Sequence, residues 1–337
     1  MSRNEKGSRE KRMAVFIAEP RSGKVLMSDR IYLACIEPMK RLDLKVGFQC
    51  NNRCLFCVQG NKRYSAPNKS DQEVKEILKR MKKNHDSLVF TGGEPTVRKE
   101  LVDWVKYAKK LGYQTIQIQS NGRMFSYKDY CRALIGAGAN ELGPSIHGSC
   151  AKIHDSQTQA PGSFNQTVQG IKNLRELDQY IITNSVITRM NYKDLPNLAK
   201  LLVNLKVDQF QFAFMHINGI IAKSPQLIKK IVPRYQESMP YIKKGIDIGV
   251  ASGIKVMAEA IPYCFMKGYE KYISEQYIPS ASVVDNELEL DDYEYYRKNM
   301  GKAKCPQCKQ CRYDKICEGP WREYPEIFGW SEFKPLK

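Results

Sequence analysis

The stretch Cys50-Asn51-Asn52-Arg53-Cys54-Leu55-Phe56-Cys57 places three cysteines in a C-x3-C-x2-C spacing. A structural zinc site uses four ligands, commonly as two C-x2-C pairs. A four-iron, four-sulfur cluster also has four iron corners, which cysteine thiolates usually fill. Three thiolates would leave one iron open to a small molecule, and this open position indicates a reactive site rather than a structural one. A zinc knuckle that a distant cysteine completes is the alternative.

A second motif, Phe90-Thr91-Gly92-Gly93-Glu94-Pro95, ends an apolar strand-like run. Glycines let the backbone approach a ligand closely, and a carboxylate suits a cation. In this order the two motifs resemble the radical S-adenosylmethionine (SAM) superfamily, in which CxxxCxxC binds a [4Fe-4S] cluster whose free iron SAM chelates. The resemblance implies that Cys50, Cys54 and Cys57 are the cluster ligands. It also implies that Gly92, Gly93 and Glu94 receive the ammonium group of SAM.

The resemblance further implies an activity. In the family, the reduced cluster passes one electron to the sulfonium of SAM, which yields methionine and a 5′-deoxyadenosyl radical that abstracts hydrogen from an unreactive carbon. A low-potential donor such as ferredoxin or flavodoxin would supply the electron. We consider a peptide or protein substrate first and a small molecule of cofactor biosynthesis second. A zinc-binding, RNA-interacting protein is the hypothesis from another class. Residues 1–41 are too short for a usual peptide-recognition domain.

Four further residues resemble parts of the SAM site of the family. Phe56 stands where relatives commonly have an aromatic residue near the adenine, although ordinary packing is an equal interpretation. Ser120 and Asn121 lie in a turn, Gln119-Ser120-Asn121-Gly122, and are candidate contacts to the methionine or ribose portion. Ser145 follows a strand-like run and is a candidate contact to the ribose. His147 and His154 come soon after it, and we assign them no catalytic role.

The composition describes an ordinary globular chain of 337 residues, 42% hydrophobic and 27% charged. No apolar run approaches the ~20 residues of a membrane helix, and the first twelve residues lack the apolar stretch of a secretory signal. We therefore expect a cytoplasmic protein with no membrane partner. Eleven cysteines in such a chain indicate metal ligation or free thiols rather than disulfides.

The net charge of +18 raises the question of a polyanionic partner such as RNA. The lysines are scattered along helical faces, as at Lys75, Lys79 and Lys82, and are not gathered beside aromatic residues. This pattern favours a solvated surface over a nucleic-acid site.

Apolar strand-like runs and amphipathic helical patterns alternate along the middle of the chain, which predicts parallel strands with right-handed crossovers. Six such units are too few for a closed eight-stranded barrel. We therefore predict an α/β fold, a partial (β/α)6 TIM-like barrel, in agreement with the family. Both motifs follow predicted strands, where parallel sheets bind ligands. The predicted strands are 42–48, 87–91, 114–119, 140–146, 181–187 and 208–214.

The chain is predicted to divide into three parts. Residues 1–41 form a tail and a small β-hairpin, the hairpin within residues 13–36. Residues 42–223 form the barrel core, and residues 224–337 form linking helices and a cysteine-rich extension. Within the extension we expect helical structure over 224–248, interrupted by Pro233 and Pro240. A strand-like run covers 254–261, and the polar, acidic stretch 275–304 is expected to be loop.

The C-terminal cysteines form a second group. The spacing Cys308-x2-Cys311-x5-Cys317 resembles the core of the SPASM extension of radical SAM enzymes, where a distant cysteine completes an auxiliary [4Fe-4S] cluster. The resemblance implies Cys264 as that cysteine, with Cys305 spare or in its place. The rest of the SPASM pattern is absent, which favours one auxiliary cluster, as in the shorter twitch-like versions. A structural zinc ribbon has the same local spacing and remains the alternative.

Overall fold

The structure, a computed structural model, describes residues 40–337. The hairpin predicted within residues 13–36 lies outside these residues. One mixed sheet is present in the described part of the chain. Its strands are β1 Lys40–Lys45, β2 His85–Thr91, β3 Thr115–Ser120, β4 Glu141–Pro144, β5 Tyr180–Ile187, β6 Gln209–Phe214, β7 Lys255–Glu259, β8 Ala281–Val284 and β9 Glu289–Leu290.

The strand order is β7-β6-β5-β4-β3-β2-β1-β8-β9. Every neighbouring pair is parallel except β8 and β9, which pair antiparallel. The sheet is not closed, and all six predicted strands are present as β1 to β6. The predicted partial barrel is therefore confirmed, and the strand-like run 254–261 supplies a seventh consecutive parallel strand.

Helices connect the strands as the apolar periodicity predicts. α2 illustrates the cause, because Ser70 caps its first turn in a capping box with Glu73, and Val74, Leu78 and Met81 form its buried stripe. The helices are α1 Lys62–Ser65, α2 Asp71–Met81, α3 Leu101–Leu111, α4 Lys128–Ala137, α5 Ala151–Thr158, α6 Ser163–Glu176, α7 Leu195–Asn204, α8 Pro225–Ile231, α9 Tyr235–Ala251, α10 Tyr293–Tyr296 and α11 Glu323–Phe328. Residues 40–337 contain no helix that is long and apolar enough to cross a bilayer.

Polar and apolar side chains alternate along the first four residues of β6, whose sequence is Gln-Phe-Gln-Phe-Ala-Phe, and successive side chains point to opposite faces of the sheet. Phe210 and Phe212 pack against α9, where Cβ atoms on Gly249 and Gly245 would lie 2.5 and 2.7 Å from their rings. Gln211 points to the opposite, inner face and donates to Glu259 of β7 at 2.5 Å. The inner face of β1 is also polar, since Arg41 pairs with Asp43 at 2.7 Å. The inner side of the barrel, its lumen, is thus polar at these positions of β1, β6 and β7.

Glu259 gives this lumen a testable pH dependence. Burial, and next the charge of Glu275, raise the pKa of Glu259 from 4.5 to about 6. Because the folded state holds its proton more tightly, ionisation of Glu259 destabilises the fold as the pH rises from about 4.5 to 6. We expect Glu259→Gln to unfold at a higher temperature than the wild type at pH 8, because its free energy of unfolding is larger by about 2 kcal/mol at most, and to lose this advantage near pH 4.5.

Thermal unfolding at the two pH values measures this effect, with the exposed Glu76→Gln as control. A Glu259→Gln variant that is less stable than the wild type at pH 8 would contradict the assigned cause.

Two expectations for the C-terminal third were wrong. Residues 275–304 are not all loop, because Ala281–Val284 form β8, which pairs in parallel with β1. This run is only four residues long among polar neighbours, and its stabilising partner is distant in sequence. Pro233 does separate α8 from α9, but Pro240 lies inside α9. It removes one backbone hydrogen bond there, and buried Tyr235, Met239 and Ile242 hold the surrounding turns in place.

The predicted division at residues 223 and 224 stays a prediction. Strands β7 and β8 follow that boundary in the chain, yet both belong to the sheet that β1–β6 form. The extension therefore contributes to the barrel itself as well as carrying the second group of cysteines.

Candidate active site

The three cysteines of the first motif lie in the loop that follows β1, and each is half-buried. Burial raises the pKa of Cys50 to about 11, and the neighbouring charges of Glu94 and Cys57 contribute. Burial also raises the pKa of Cys54, and the nearby Cys50 and Cys57 raise it further. The thiols of Cys50 and Cys54 are therefore protonated at neutral pH when no metal is bound, and binding of a metal cluster must release protons.

Two arginines hold this loop from either side, and sequence reasoning missed both. Arg123 donates from Nη1 to the carbonyl oxygen of Asn51 at 2.5 Å and to Oδ1 of Asn52 at 3.1 Å. Arg63 donates from Nη1 to the carbonyl oxygen of Asn52 at 2.8 Å. Arg63 follows Cys57 closely in sequence, and Arg123 follows the Asn-Gly turn. This nearness to the predicted motifs is the sequence signal that could have identified them.

The Gly92-Gly93-Glu94 turn packs directly against the backbone that leads into Cys50. The N–H of Gly93 donates to Gly47 O, and the N–H of Glu94 donates to Gln49 O, each at 2.8 Å. A Cβ on Gly92 would lie 2.2 Å from Gly47 O, and one on Gly93 would lie 2.3 Å from Phe48 O. Both glycines are thus required for the close approach of the two motifs, and their contact with SAM stays a prediction.

We expect Gly93→Ala to separate the two motifs. The added methyl group must displace backbone, because its nearest neighbours are the carbonyl oxygens of Phe48 and Gln49. The free energy of unfolding should fall by about 1–3 kcal/mol, in the range of overpacking, and SAM binding should weaken. Equilibrium SAM binding and chemical denaturation measure the two effects, and Gly136→Ala is the control because a Cβ added there would meet nothing within 4 Å. Wild-type SAM affinity in Gly93→Ala would contradict the prediction.

Glu94 ties the end of β2 to the end of β3. Its buried carboxylate accepts hydrogen bonds from Thr96 Oγ1 at 2.5 Å, Ser120 Oγ at 2.8 Å and the N–H of Asn121 at 2.6 Å. Burial raises the pKa of Glu94 in spite of these donors. Its Oε2 accepts only the Asn121 bond within residues 40–337, so this oxygen retains capacity for a further donor.

The side chains of the predicted SAM contacts are partly engaged within the chain. The hydroxyl of Ser120 donates to Glu94 and accepts from the N–H of Gly122 at 2.9 Å. Asn121 donates from Nδ2 to Oδ1 of Asn51 at 2.6 Å and lies 3.9 Å from the sulfur of Cys50. Ser145 follows β4 directly, and its N–H donates to Ser120 O at 2.8 Å. The structure thus brings all three to the end of the barrel that carries the first motif.

Phe56 lies in the core, with its ring edge-on to His147 at a centroid distance of 4.7 Å. His147 in turn stacks on His154 at 5.6 Å, and burial lowers the pKa of both imidazoles, that of His154 to about 4. Both histidines are therefore neutral at physiological pH. The observed contact of Phe56 is thus a packing contact with His147, and its predicted contact with the adenine stays a prediction.

The second group of cysteines lines one cavity. Cys264, from the segment after β7, faces it together with three cysteines of the tail, Cys308, Cys311 and Cys317. Cys305 is buried outside the lining, and its sulfur lies 3.4 Å from that of Cys308. Four thiols around one cavity fit the ligand set of a four-iron cluster. Within residues 40–337, no three His, Cys, Asp or Glu side chains are grouped in a way that could hold a single metal ion.

The loop after β6 connects the two cysteine groups, and sequence reasoning missed it as well. The N–H of Ile220 donates to Cys57 O at 3.3 Å, and a Cβ on Gly219 would lie 2.4 Å from the same oxygen. In the same loop His216 stacks on Trp321 at a centroid distance of 4.1 Å and pairs with Glu323 at 3.1 Å. The loop thus contacts the first motif at one end and the C-terminal segment at the other.

Comparison with known proteins gives a match to a family and matches to individual relatives. Residues 44–202 match the family described as the Radical SAM superfamily. A probable GTP 3′,8-cyclase of Saccharolobus islandicus (strain L.S.2.15 / Lassen #1) is 28% identical over 186 residues, which cover 54% of this chain and 59% of the cyclase. The aligned part is therefore less than two thirds of that relative. An AdoMet-dependent heme synthase of Methanosarcina barkeri is 23% identical over 308 residues, 80% of this chain and 87% of the synthase.

Solved structures share the fold over most of the chain. Streptococcus suis SuiB bound to precursor peptide SuiA superposes with a TM-score of 0.62 and 16% identity, covering 83% of this chain and 71% of SuiB. Native anSMEcpe with bound AdoMet and Cp18Cys peptide gives a TM-score of 0.60 and 15% identity, covering 89% of this chain and 93% of anSMEcpe. At these identities the likeness establishes the fold.

Proposed function

The chain belongs to the radical SAM superfamily, and from this premise we propose that it cleaves SAM reductively at a [4Fe-4S] cluster held by Cys50, Cys54 and Cys57. The observation that carries the proposal is the position of these three cysteines in the loop at the carboxyl end of β1, against the Gly92-Gly93-Glu94 turn. When bound, the cluster and SAM together supply a 5′-deoxyadenosyl radical for hydrogen abstraction from the substrate.

The surrounding residues would bind and orient SAM. Oε2 of Glu94, which retains capacity for one more donor, would receive the ammonium group. Asn121 and Ser145 would contact the ribose or methionine portion, and Ser120 would act through Glu94, whose orientation its hydroxyl fixes. Phe56 would form part of the wall on the adenine side. The protein's contribution is position, electrostatics and exclusion of water.

We propose one auxiliary [4Fe-4S] cluster in the cavity lined by Cys264, Cys308, Cys311 and Cys317. The position of Cys264 supports this ligand set over one that contains Cys305, because Cys264 faces the cavity and Cys305 lies behind Cys308. These four thiolates would fill all four iron corners of the cluster.

A comparison of two single variants tests this ligand set. We expect Cys264→Ser to lower the iron content of the reconstituted protein from about eight to about four per chain, since a cluster that loses one of four thiolates is poorly held. Cys305→Ser should keep about eight. Iron and acid-labile sulfide analysis measures both. Loss of iron from Cys305→Ser alone would reverse the assignment, and zinc in place of iron would favour the zinc ribbon.

For the substrate we propose a peptide or protein. The support is the extent of the shared fold, since anSMEcpe, which is described with a bound peptide, is covered over 93% of its length. A small molecule is the second candidate, because the GTP 3′,8-cyclase and heme synthase relatives have names that indicate small-molecule chemistry. The polar lumen suits either class. A low-potential donor such as ferredoxin or flavodoxin would supply the electron.

The experiment is anaerobic reconstitution followed by assay of 5′-deoxyadenosine with reductant and SAM. Peptides from small open reading frames beside the gene and purine nucleotides are then added in turn. The substrate is the compound that transfers deuterium from a labelled carbon into 5′-deoxyadenosine. Intact SAM under strong reductant, with a fully loaded cluster, would refute the proposed function.

A further inference from the structure

Arg63 lies against the first cysteine motif on the short helix α1. Its Nη1 donates to the carbonyl oxygen of Asn52, between Cys50 and Cys54. The guanidinium is also a close charge neighbour of both Cys50 and Cys57. The side chain is half-buried, and its guanidinium lies 5.8 Å from the ring centroid of the adjacent Tyr64 while it reaches the motif through the Asn52 bond.

One donor of this guanidinium has no partner. The Nε of Arg63 is buried and makes no hydrogen bond to any of residues 40–337. A buried donor that is left without a partner costs free energy, and the cost is larger on a charged group than on a neutral one. Groups of this kind in folded proteins are normally paired, so an unpaired one beside a binding site indicates a partner that binds there.

We propose that Arg63 donates this N–H to a sulfur of the [4Fe-4S] cluster at Cys50, Cys54 and Cys57 and thereby makes the cluster easier to reduce. The inference rests on the proposed function. A cluster that takes up an electron gains negative charge, and a cationic donor beside it stabilises that state more than the oxidised one. Hydrogen bonds to cluster sulfurs are among the known determinants of the reduction potential.

Arg63 suits this role better than a lysine would. Its planar fork presents several donors at fixed angles, so one N–H can hold the Asn52 carbonyl while another faces the sulfur. Arg123 donates from Nη1 to oxygen atoms of Asn51 and Asn52, and its Nε donates to Oε1 of Gln166 at 2.6 Å. Arg123 therefore holds the loop, whereas Arg63 has a donor available.

The test is a redox titration of Arg63→Gln, Arg63→Lys and Arg53→Gln with dithionite, followed by electron paramagnetic resonance. Arg53 is the matched control, because it lies in the same loop, carries the same charge and is exposed. The signal of the first cluster is identified as the one that changes when SAM is added. We expect Arg63→Gln to keep its iron and to lower the ratio of reduced to oxidised cluster at a fixed potential by about tenfold.

The reduction potential of the first cluster in Arg63→Lys should lie between those of Arg63→Gln and the wild type. In Arg53→Gln it should equal that of the wild type. Equal potentials in Arg63→Gln and Arg53→Gln would overturn the inference and leave the proposed function standing. Loss of iron from both Arg63 variants with an intact fold would also overturn it, since Arg63 would then only shape the loop. A wild-type protein that binds no cluster would refute the proposed function itself.

Discussion

Cys54→Ala is expected to abolish SAM cleavage, with a fall of at least about a thousandfold in the rate of 5′-deoxyadenosine formation. Changes in residues that only orient a metal ligand typically cost 10–100-fold, and removal of a ligand must cost more. Cys54 is the middle one of the three proposed ligands, and its side chain is half-buried in the loop after β1. Two remaining thiolates leave two irons of the cube without a protein ligand.

The measurement has two parts. Anaerobic assays with excess dithionite report 5′-deoxyadenosine, and iron analysis reports the cluster, so loss of activity can be separated from loss of metal. Cys150→Ser is the matched control, because Cys150 is an exposed free cysteine outside both groups. Cys50→Ala and Cys57→Ala should behave as Cys54→Ala does. SAM cleavage at a wild-type rate in any of the three would place the cluster elsewhere.

Local patterns were sufficient to predict much of this molecule. The spacing of Cys50, Cys54 and Cys57 and the GGEP turn are contiguous in sequence, and the strands β1 to β6 each carry their own apolar pattern. The prediction failed where stability comes from distant partners. β8 exists because it pairs with β1, and a run of four residues gives too weak a signal by itself.

The site shows the same limit. Spacing predicted Cys50, Cys54 and Cys57 as cluster ligands, and this stays a prediction. Spacing could not show that Arg63 and Arg123 contact the loop between these cysteines, because side-chain direction depends on the folded backbone. Nor could spacing decide between Cys264 and Cys305. The two differ in whether they line the cavity, and this follows from how the tail packs against the segment after β7, where Tyr313 stacks on Tyr263, rather than from their positions in the chain.

Glu318→Ala should have the largest effect on stability among substitutions outside the two cysteine groups. Glu318 follows Cys317 directly and accepts two hydrogen bonds from Arg297, each 2.7 Å long. It also lies 2.9 Å from Nζ of Lys302, which contacts Glu275 at 2.6 Å. The side chains of Arg297 and Glu318 are both 4% exposed, and that of Lys302 is 1% exposed. The four groups form one buried ionic network that joins the tail to the segment after β7.

Removal of Glu318 leaves two buried cations with a single carboxylate. Breaking a buried ion pair in this way typically destabilises a protein by about 3–5 kcal/mol, because the remaining charge is neither hydrated nor paired. Glu289→Ala is the control, since its partner Arg80 lies on the surface and the two side chains are 40% and 55% exposed. An exposed pair of this kind contributes at most about 1 kcal/mol. Chemical denaturation of the reconstituted protein, with iron analysis, measures both variants.

The pH dependence separates this electrostatic cause from simple loss of packing. Burial alone would raise the pKa of Glu318, but the hydrogen bonds from Arg297 and the charge of Lys302 lower it below 4.5. The stabilisation by the carboxylate is therefore complete above pH 4.5 and is lost as the pH falls through the lower folded-state pKa. The difference between wild type and Glu318→Gln, which keeps the side-chain volume, should shrink in acid. A difference that stays constant from pH 7 to pH 3.5 would show that packing, and not charge, anchors the tail and with it the thiol of Cys317.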